Sequence, residues 1–212
     1  MSWLNKMFNK EPETPTPEKG VNDGKFLHLE LGSRVTVDPS FAKIYSDLGD
    51  VLSPPQAPNQ AVEAVGTIDL GEDSIMYRYY LTDDAFIQVN TTNDEITDMV
   101  VFTYWDPINP DSREDFEAFY DQGGQIGAPT LTIDGKVYHR VWGANAVHLY
   151  ERVIKNGSRY ELDLYTMLYE REIPGTDKTE LAVITAEDSD EEDFVVSIAV
   201  GLKINRADLD IT

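Results

Sequence analysis

Three histidines, His28, His139 and His148, are the chain's natural metal ligands and proton carriers. If the segment GANA between the last two turns a hairpin, His139 and His148 share one face, diagonally across two strands. That would make a two-histidine metal pair. No HExxH-type spacing accompanies it and no third ligand is specified, so half-buried, satisfied strand histidines are the expectation. The run Glu187-Asp188-Ser189-Asp190-Glu191-Glu192-Asp193 holds six carboxylates in seven residues. Calcium favours such oxygens, but the glycine and glutamate of a calcium-binding loop are missing. A solvated hairpin tip with weak, nonspecific cation binding is expected. The glycines of DQGGQIGAP match neither phosphate-binding pattern and precede a strand rather than a helix, so they read as a turn. Ser33, Ser158 and Ser197 lack a nucleophile-elbow context. Tyr77, Tyr79, Tyr80, Tyr104 and Trp105 could line a ligand groove, although aromatics at strand alternation usually pack a core. With no cysteine, disulfides, thiolate metal sites and thiol nucleophiles are all excluded. No catalytic set, cofactor loop or metal motif is specified, and the expectation is a protein without a cofactor, leaning away from an enzyme.

Charge narrows the partners. Asp and Glu number 39 against 17 Lys and Arg, a formal charge of −22. Such a body repels phosphate backbones and anionic lipid head groups, so nucleic acid is not an expected partner. Basic proteins and other cations are attracted. No apolar run has the length of a membrane span, and Asn5, Lys6 and Asn9 interrupt any signal-peptide core, so a cytoplasmic protein is expected.

One stretch breaks the acidic pattern. On a helix, Trp3, Leu4, Met7 and Phe8 of MSWLNKMFNK fall on one arc, with Lys6 and Lys10 beside it. That is the form of an interfacial or groove-seeking peptide. Pro12, Pro15 and Pro17 then make an extended spacer, solvated by Glu11, Glu13 and Glu18. Docking on a protein partner, or weak peripheral contact with a membrane, is the expected use.

Behind these groups the chain reads as strands. DPSFAKIYSDLG signals a helix, with Asp38 as cap and Gly49 as stop, and NPDSREDFEAFYDQGG signals a second, capped by Asp111 or Ser112. SIMYRYYL and DAFIQVNTT alternate, while DMVVFTYW is apolar on both faces, as a central strand would be. Asp134-Gly135 and Asn156-Gly157 mark two-residue hairpins, the second of which places Arg152 opposite Glu161. The expected fold is α+β: a predominantly antiparallel β meander of hairpins, in an open layered sheet or a sandwich, with two or three short helices. The expected organisation is a peptide at 1–10, a spacer at 11–19 and one domain at 20–212, divisible into 20–124 and 125–212.

The basic-apolar start with its spacer, LGSRVTVDPSF, and IDGKVYHRVWG together resemble the YjfK-like family, an uncharacterised bacterial family with no assigned activity. The resemblance implies an accessory role at the inner face of the membrane, beside proteins of the phage-shock membrane-stress type. It also implies that LGSRV and RVWG are structural signatures, with Gly32 and Gly143 at turns. The function expected is that of an accessory or interaction protein docking through its N-terminal peptide. The alternative is an enzyme or small-ligand binder using a carboxylate- or aromatic-lined cleft in the sheet.

Overall fold

The computed structural model describes residues 27–41, 43, 58–190 and 193–212. The peptide and spacer at 1–19, with Trp3, Leu4, Lys6, Met7, Phe8 and Lys10, lie outside the described residues. So does most of the helix expected after Asp38, of which residues 39–41 and 43 are helical.

Twelve strands form one sheet that closes on itself. The closed ring runs β2 (Gln60–Gly71), β3 (Ser74–Leu81), β4 (Ala85–Thr92), β5 (Glu95–Ile108), β11 (Asp193–Lys203), β10 (Thr179–Asp190), β9 (Ser158–Glu172) and β8 (Val147–Lys155). β8 returns to β2 with Gly66 opposite Val153. Every neighbouring pair is antiparallel. The fold is therefore an eight-stranded antiparallel barrel, and the expectation of an α+β open sheet or sandwich is corrected. Closure rests on residues 64–68 meeting 151–155, a pairing that no local pattern encodes. It pairs each of the eight ring strands on both sides and leaves the ends of the strand order to the short strands at 209–211 and 130–133. The barrel takes four strands from either side of residue 124.

Two further layers cover parts of the wall. β1 (Arg34–Val37) pairs with β12 (Leu209–Ile211) and, with residues 27–29, packs Leu29, Val35, Val37 and Leu209 onto Tyr77, Tyr79, Ile87 and Val101. On another side the hairpin β6 (Thr130–Ile133) and β7 (Lys136–Arg140), with the helix α1 (Arg113–Glu117), packs Phe116, Leu131 and Tyr138 onto Met167, Tyr169, Ile184 and Ile198. The third cluster fills the inside of the barrel. β5 shows the consequence: Val100 and Phe102 point inward, while Met99 and Val101 meet the β1–β12 layer. Its apolar character on both faces thus comes from a covered barrel wall, not from a central position in a flat sheet.

The turns follow their chemistry. Asp134-Gly135 and Asn156-Gly157 have positive φ at both residues, the type I′ geometry that suits a two-residue hairpin. Arg152 stands opposite Glu161 as expected. Ser112 caps α1, its Oγ accepting from the Asp115 N–H at 3.1 Å. Ser112→Ala should cost about 1 kcal/mol, measured by urea titration, because Phe116 is anchored through this helix.

Candidate functional site

Among the described residues polar side chains gather inside the barrel, in a groove beside α1, and under the β6–β7 hairpin, where Arg171 Nη2 meets Glu180 Oε2 at 2.7 Å and Tyr138 donates to the same oxygen at 2.6 Å. In the first of these places, β3 sends Met76, Arg78 and Tyr80 inward, and β8 sends Leu149, Glu151 and Val153. Arg78 Nη1 donates to Glu151 Oε2 at 3.2 Å, and Tyr80 Oη donates to Glu151 Oε1 at 2.8 Å. Burial works against the charge on Arg78, and Glu151 beside it, together with Tyr80 and Tyr104, more than offsets this, so the guanidinium keeps its proton. Burial raises the Glu151 carboxyl, while Arg78 and Tyr80 pull it back. Gly66 faces Arg78 across the strands, and a Cβ there would fall 1.7 Å from Glu151 Oε1. The missing side chain is what makes room for the carboxylate.

Glu187 of β10 completes this interior group. Ser197 Oγ, from β11, donates to its Oε1 at 2.5 Å. Burial pushes the Glu187 carboxyl up to about 8, with Ser197 and Arg78 opposing. Glu187 Oε2 and Arg78 Nε have no hydrogen-bond partner among the described residues. Next along the wall, Thr166 and Thr185 face each other with hydroxyls 2.9 Å apart. The arrangement supplies one ion pair and one carboxyl favoured in its protonated form. Packed among Phe86, Phe102, Leu162 and Leu164, it is a polar core.

The second place is outside, where the β8–β9 wall meets α1. Arg113, Glu117, Tyr150, Glu161, Asp163, Asp188 and Ser189 line an open groove there. Arg113 binds Asp188 through both terminal nitrogens, Nη2 to Oδ1 at 3.2 Å. His148 Nε2 lies 2.6 Å from Asp163 Oδ1. Tyr120 stacks on Tyr165 at 3.9 Å between centroids, and His148 stacks on Tyr165 at 4.6 Å. These separations leave no room for both rings on one face of Tyr165, so the three form a column. Tyr150 is 45% exposed, and partial burial, with the bond from its hydroxyl to Glu161, pushes it up to about 12.

A family model described as "Protein of unknown function (DUF2491)" matches residues 3–210. The chain belongs to this family. Among its relatives is "Uncharacterized protein YjfK" of Escherichia coli (strain K12), 29% identical over 200 residues, covering 87% of this chain and 90% of that protein. The resemblance to YjfK-like proteins is thereby shown. No solved structure matches.

In this DUF2491 protein the residues singled out by sequence are dispersed. β7 and β8 do not pair with each other; both pair with β9, His139 opposite Glu170 and His148 opposite Tyr165. The two histidines therefore sit apart along β9, and the diagonal pair does not form. His28 is exposed on a turn at positive φ. Among the described residues no group of three or more His, Asp and Glu is arranged to hold a metal ion. The acidic run is not one solvated tip: Glu187 is 5% exposed inside the barrel, and Asp188 is paired with Arg113. Tyr77 and Tyr79 face the outer layer, Tyr80 and Tyr104 face the interior, and Trp105 is exposed, so they line no common groove. The loop after α1 is a clasp, in which the Tyr169 hydroxyl donates to Ala128 O at 3.1 Å and accepts from the Gly127 N–H at 3.2 Å. Sequence reasoning missed Arg78 and Glu151. The signal was a single charge in each of two otherwise apolar alternating stripes, Met76-Arg78-Tyr80 and Leu149-Glu151-Val153.

Proposed function

We propose that this protein is a non-enzymatic accessory protein that acts by docking. The barrel is its rigid body, and the N-terminal peptide, with Trp3, Leu4, Met7 and Phe8 flanked by Lys6 and Lys10, is its tethered foot. The observation supporting this is the filled barrel. Inward side chains from all eight strands pack against one another, with Arg78 paired to Glu151 and Glu187 bonded to Ser197. A barrel of this strand number can be filled by its own side chains or hold one small ligand, and here apolar side chains fill it. On this reading the protein works in the cytoplasm, on a protein partner of the phage-shock membrane-stress type at the inner face of the membrane. A protein groove suits the foot better than bare lipid, because a body of −22 is repelled by anionic head groups.

Deleting residues 1–18 tests it, alongside Trp3→Ala/Phe8→Ala. Both variants should keep the wild-type melting temperature and lose co-fractionation with membranes or partner. A fall of many degrees in the deletion variant would make the stretch part of the folded core and end the docking idea.

A further inference from the structure

The outer layers cover the barrel wall unevenly. The β2–β5 side lies under β1 and β12, and the β9–β11 side lies under α1 and the β6–β7 hairpin. On β8 and the first half of β9 the outward residues His148, Tyr150, Arg152 and Glu161 are exposed, with Asp163 and Tyr165 half-buried. Here the sheet and α1 together border the groove that Tyr150 and Asp188 line.

We infer that this groove is a docking surface for a basic segment of a protein partner, taking Lys or Arg side chains against Tyr150 and the carboxylates of Glu117, Glu161 and Asp163. Three observations carry it. First, the lining holds four carboxylates, Glu117, Glu161, Asp163 and Asp188, against one cation, Arg113, and that cation is bound to Asp188. Arg152 stands opposite Glu161 and His148 Nε2 lies 2.6 Å from Asp163 Oδ1 at the margin, and the lining itself still holds more carboxylates than cations. Second, the groove is built rather than frayed. The Tyr120–Tyr165–His148 column adjoins it, with His148 Nε2 at 2.6 Å from the lining residue Asp163, and Arg113 lies over Phe116 and Phe194 at 5.5 and 4.9 Å from their ring centres. Third, the exposed Tyr150 ring stands beside Asp163 in register, its hydroxyl tied to Glu161. An aromatic ring flanked by carboxylates is the arrangement that holds an organic cation. The groove is polar and holds the Arg113–Asp188 ion pair, which suits an extended basic segment better than an apolar helix. The negative body adds long-range attraction for the same partner.

The inference rests on reading the chain as an interaction protein, but not on the N-terminal peptide. The probe is fluorescein-labelled octalysine, titrated with the full chain by fluorescence anisotropy at about 0.1 M salt, where screening beyond ~10 Å weakens diffuse attraction. Glu161→Gln/Asp163→Asn should weaken binding by about tenfold, and Tyr150→Ala by roughly three- to tenfold. Glu72→Gln/Glu95→Gln removes the same charge from exposed positions on the β2–β3 and β4–β5 hairpins, and should change binding less than about twofold. Equal losses in the two double variants would mean that octalysine senses net charge alone, and would overturn the proposal. So would an unchanged affinity in Tyr150→Ala. All the altered positions are exposed or half-buried, and equal melting temperatures establish that the fold is intact. The 1–18 deletion should bind octalysine as the full chain does. If it loses partner co-fractionation while the groove variants bind octalysine normally, the docking reading stands and the groove assignment falls.

Discussion

Gly66→Ala should destabilise the protein by about 3–5 kcal/mol, the range for breaking a buried ion pair. A single methyl group has this effect because of where it would sit. The Cβ at position 66 would lie 1.7 Å from Glu151 Oε1 and 2.8 Å from its carboxyl carbon, inside any tolerable contact. Glu151 has no room to withdraw without giving up Arg78 Nη1 at 3.2 Å and the Tyr80 hydroxyl at 2.8 Å. Arg78 would then hold a positive charge inside the barrel without its counter-ion, against Phe86 at 5.5 Å. Ordinary overpacking costs about 1–3 kcal/mol, so the loss of pairing sets the larger figure. Gly71→Ala is the contrast. Its φ of +79° strains an alanine, yet nothing lies within 4 Å, so only the backbone term of about 1–2 kcal/mol remains. Urea titration of both variants checks the ranking. Shortening Glu151 to serine should relieve the clash, so the cost of Gly66→Ala should be smaller in that background. Equal costs in the two backgrounds would show that the carboxylate is not what position 66 accommodates.

How far such contacts can be read without coordinates depends on their range. The Asp134-Gly135 and Asn156-Gly157 turns were legible because two consecutive positive φ angles demand those residue types. The hairpin register followed, and with it Arg152 opposite Glu161. Ser112 was legible as a cap because the hydroxyl acts three residues away. Closure was not legible. β2 and β8 meet across some ninety residues of chain, and their alternation would serve an open sheet equally well. Once closure was missed, the interior was missed too. Glu187 opens a run of carboxylates, and such a run normally marks a solvated loop. In the barrel that residue is on the inward face, opposite Val195 and bonded to Ser197, while Asp188 faces out to Arg113. The period-two alternation that buries one and exposes the other was present in the sequence. The inward direction was not, because it is defined by strands far away in the chain.

Glu187→Gln should remove most of the pH dependence of stability between the ordinary carboxyl range and about pH 8. In the fold, burial raises the Glu187 carboxyl from the usual 4.5 to about 8. The unfolded chain releases this proton near 4.5, whereas the folded barrel keeps it until about 8. Across that window the native state binds one more proton than the unfolded state, so stability falls as pH rises, by up to about 1.4 kcal/mol per unit, and levels off above it. Glu151 is raised as well, but the Arg78 guanidinium beside it opposes the shift. Tyr80 and Tyr104, the other titratable groups near Glu187, are raised well above their ordinary value and stay neutral throughout. Glutamine has the shape and neutrality of the protonated acid. It carries an extra N–H where Glu187 Oε2 has no partner, so at pH 5 the variant should be no more stable than the wild type. At pH 8.5 it should be the more stable by on the order of 3 kcal/mol, since it never places an uncompensated anion beside Glu151. Urea titrations at both pH values decide it. The opposite result, a variant weaker at pH 8.5 than the wild type, would mean that Glu187 is ionised and Arg78 serves two carboxylates. The unpartnered Arg78 Nε argues against that arrangement, because a guanidinium shared between two anions would spend that donor on the second.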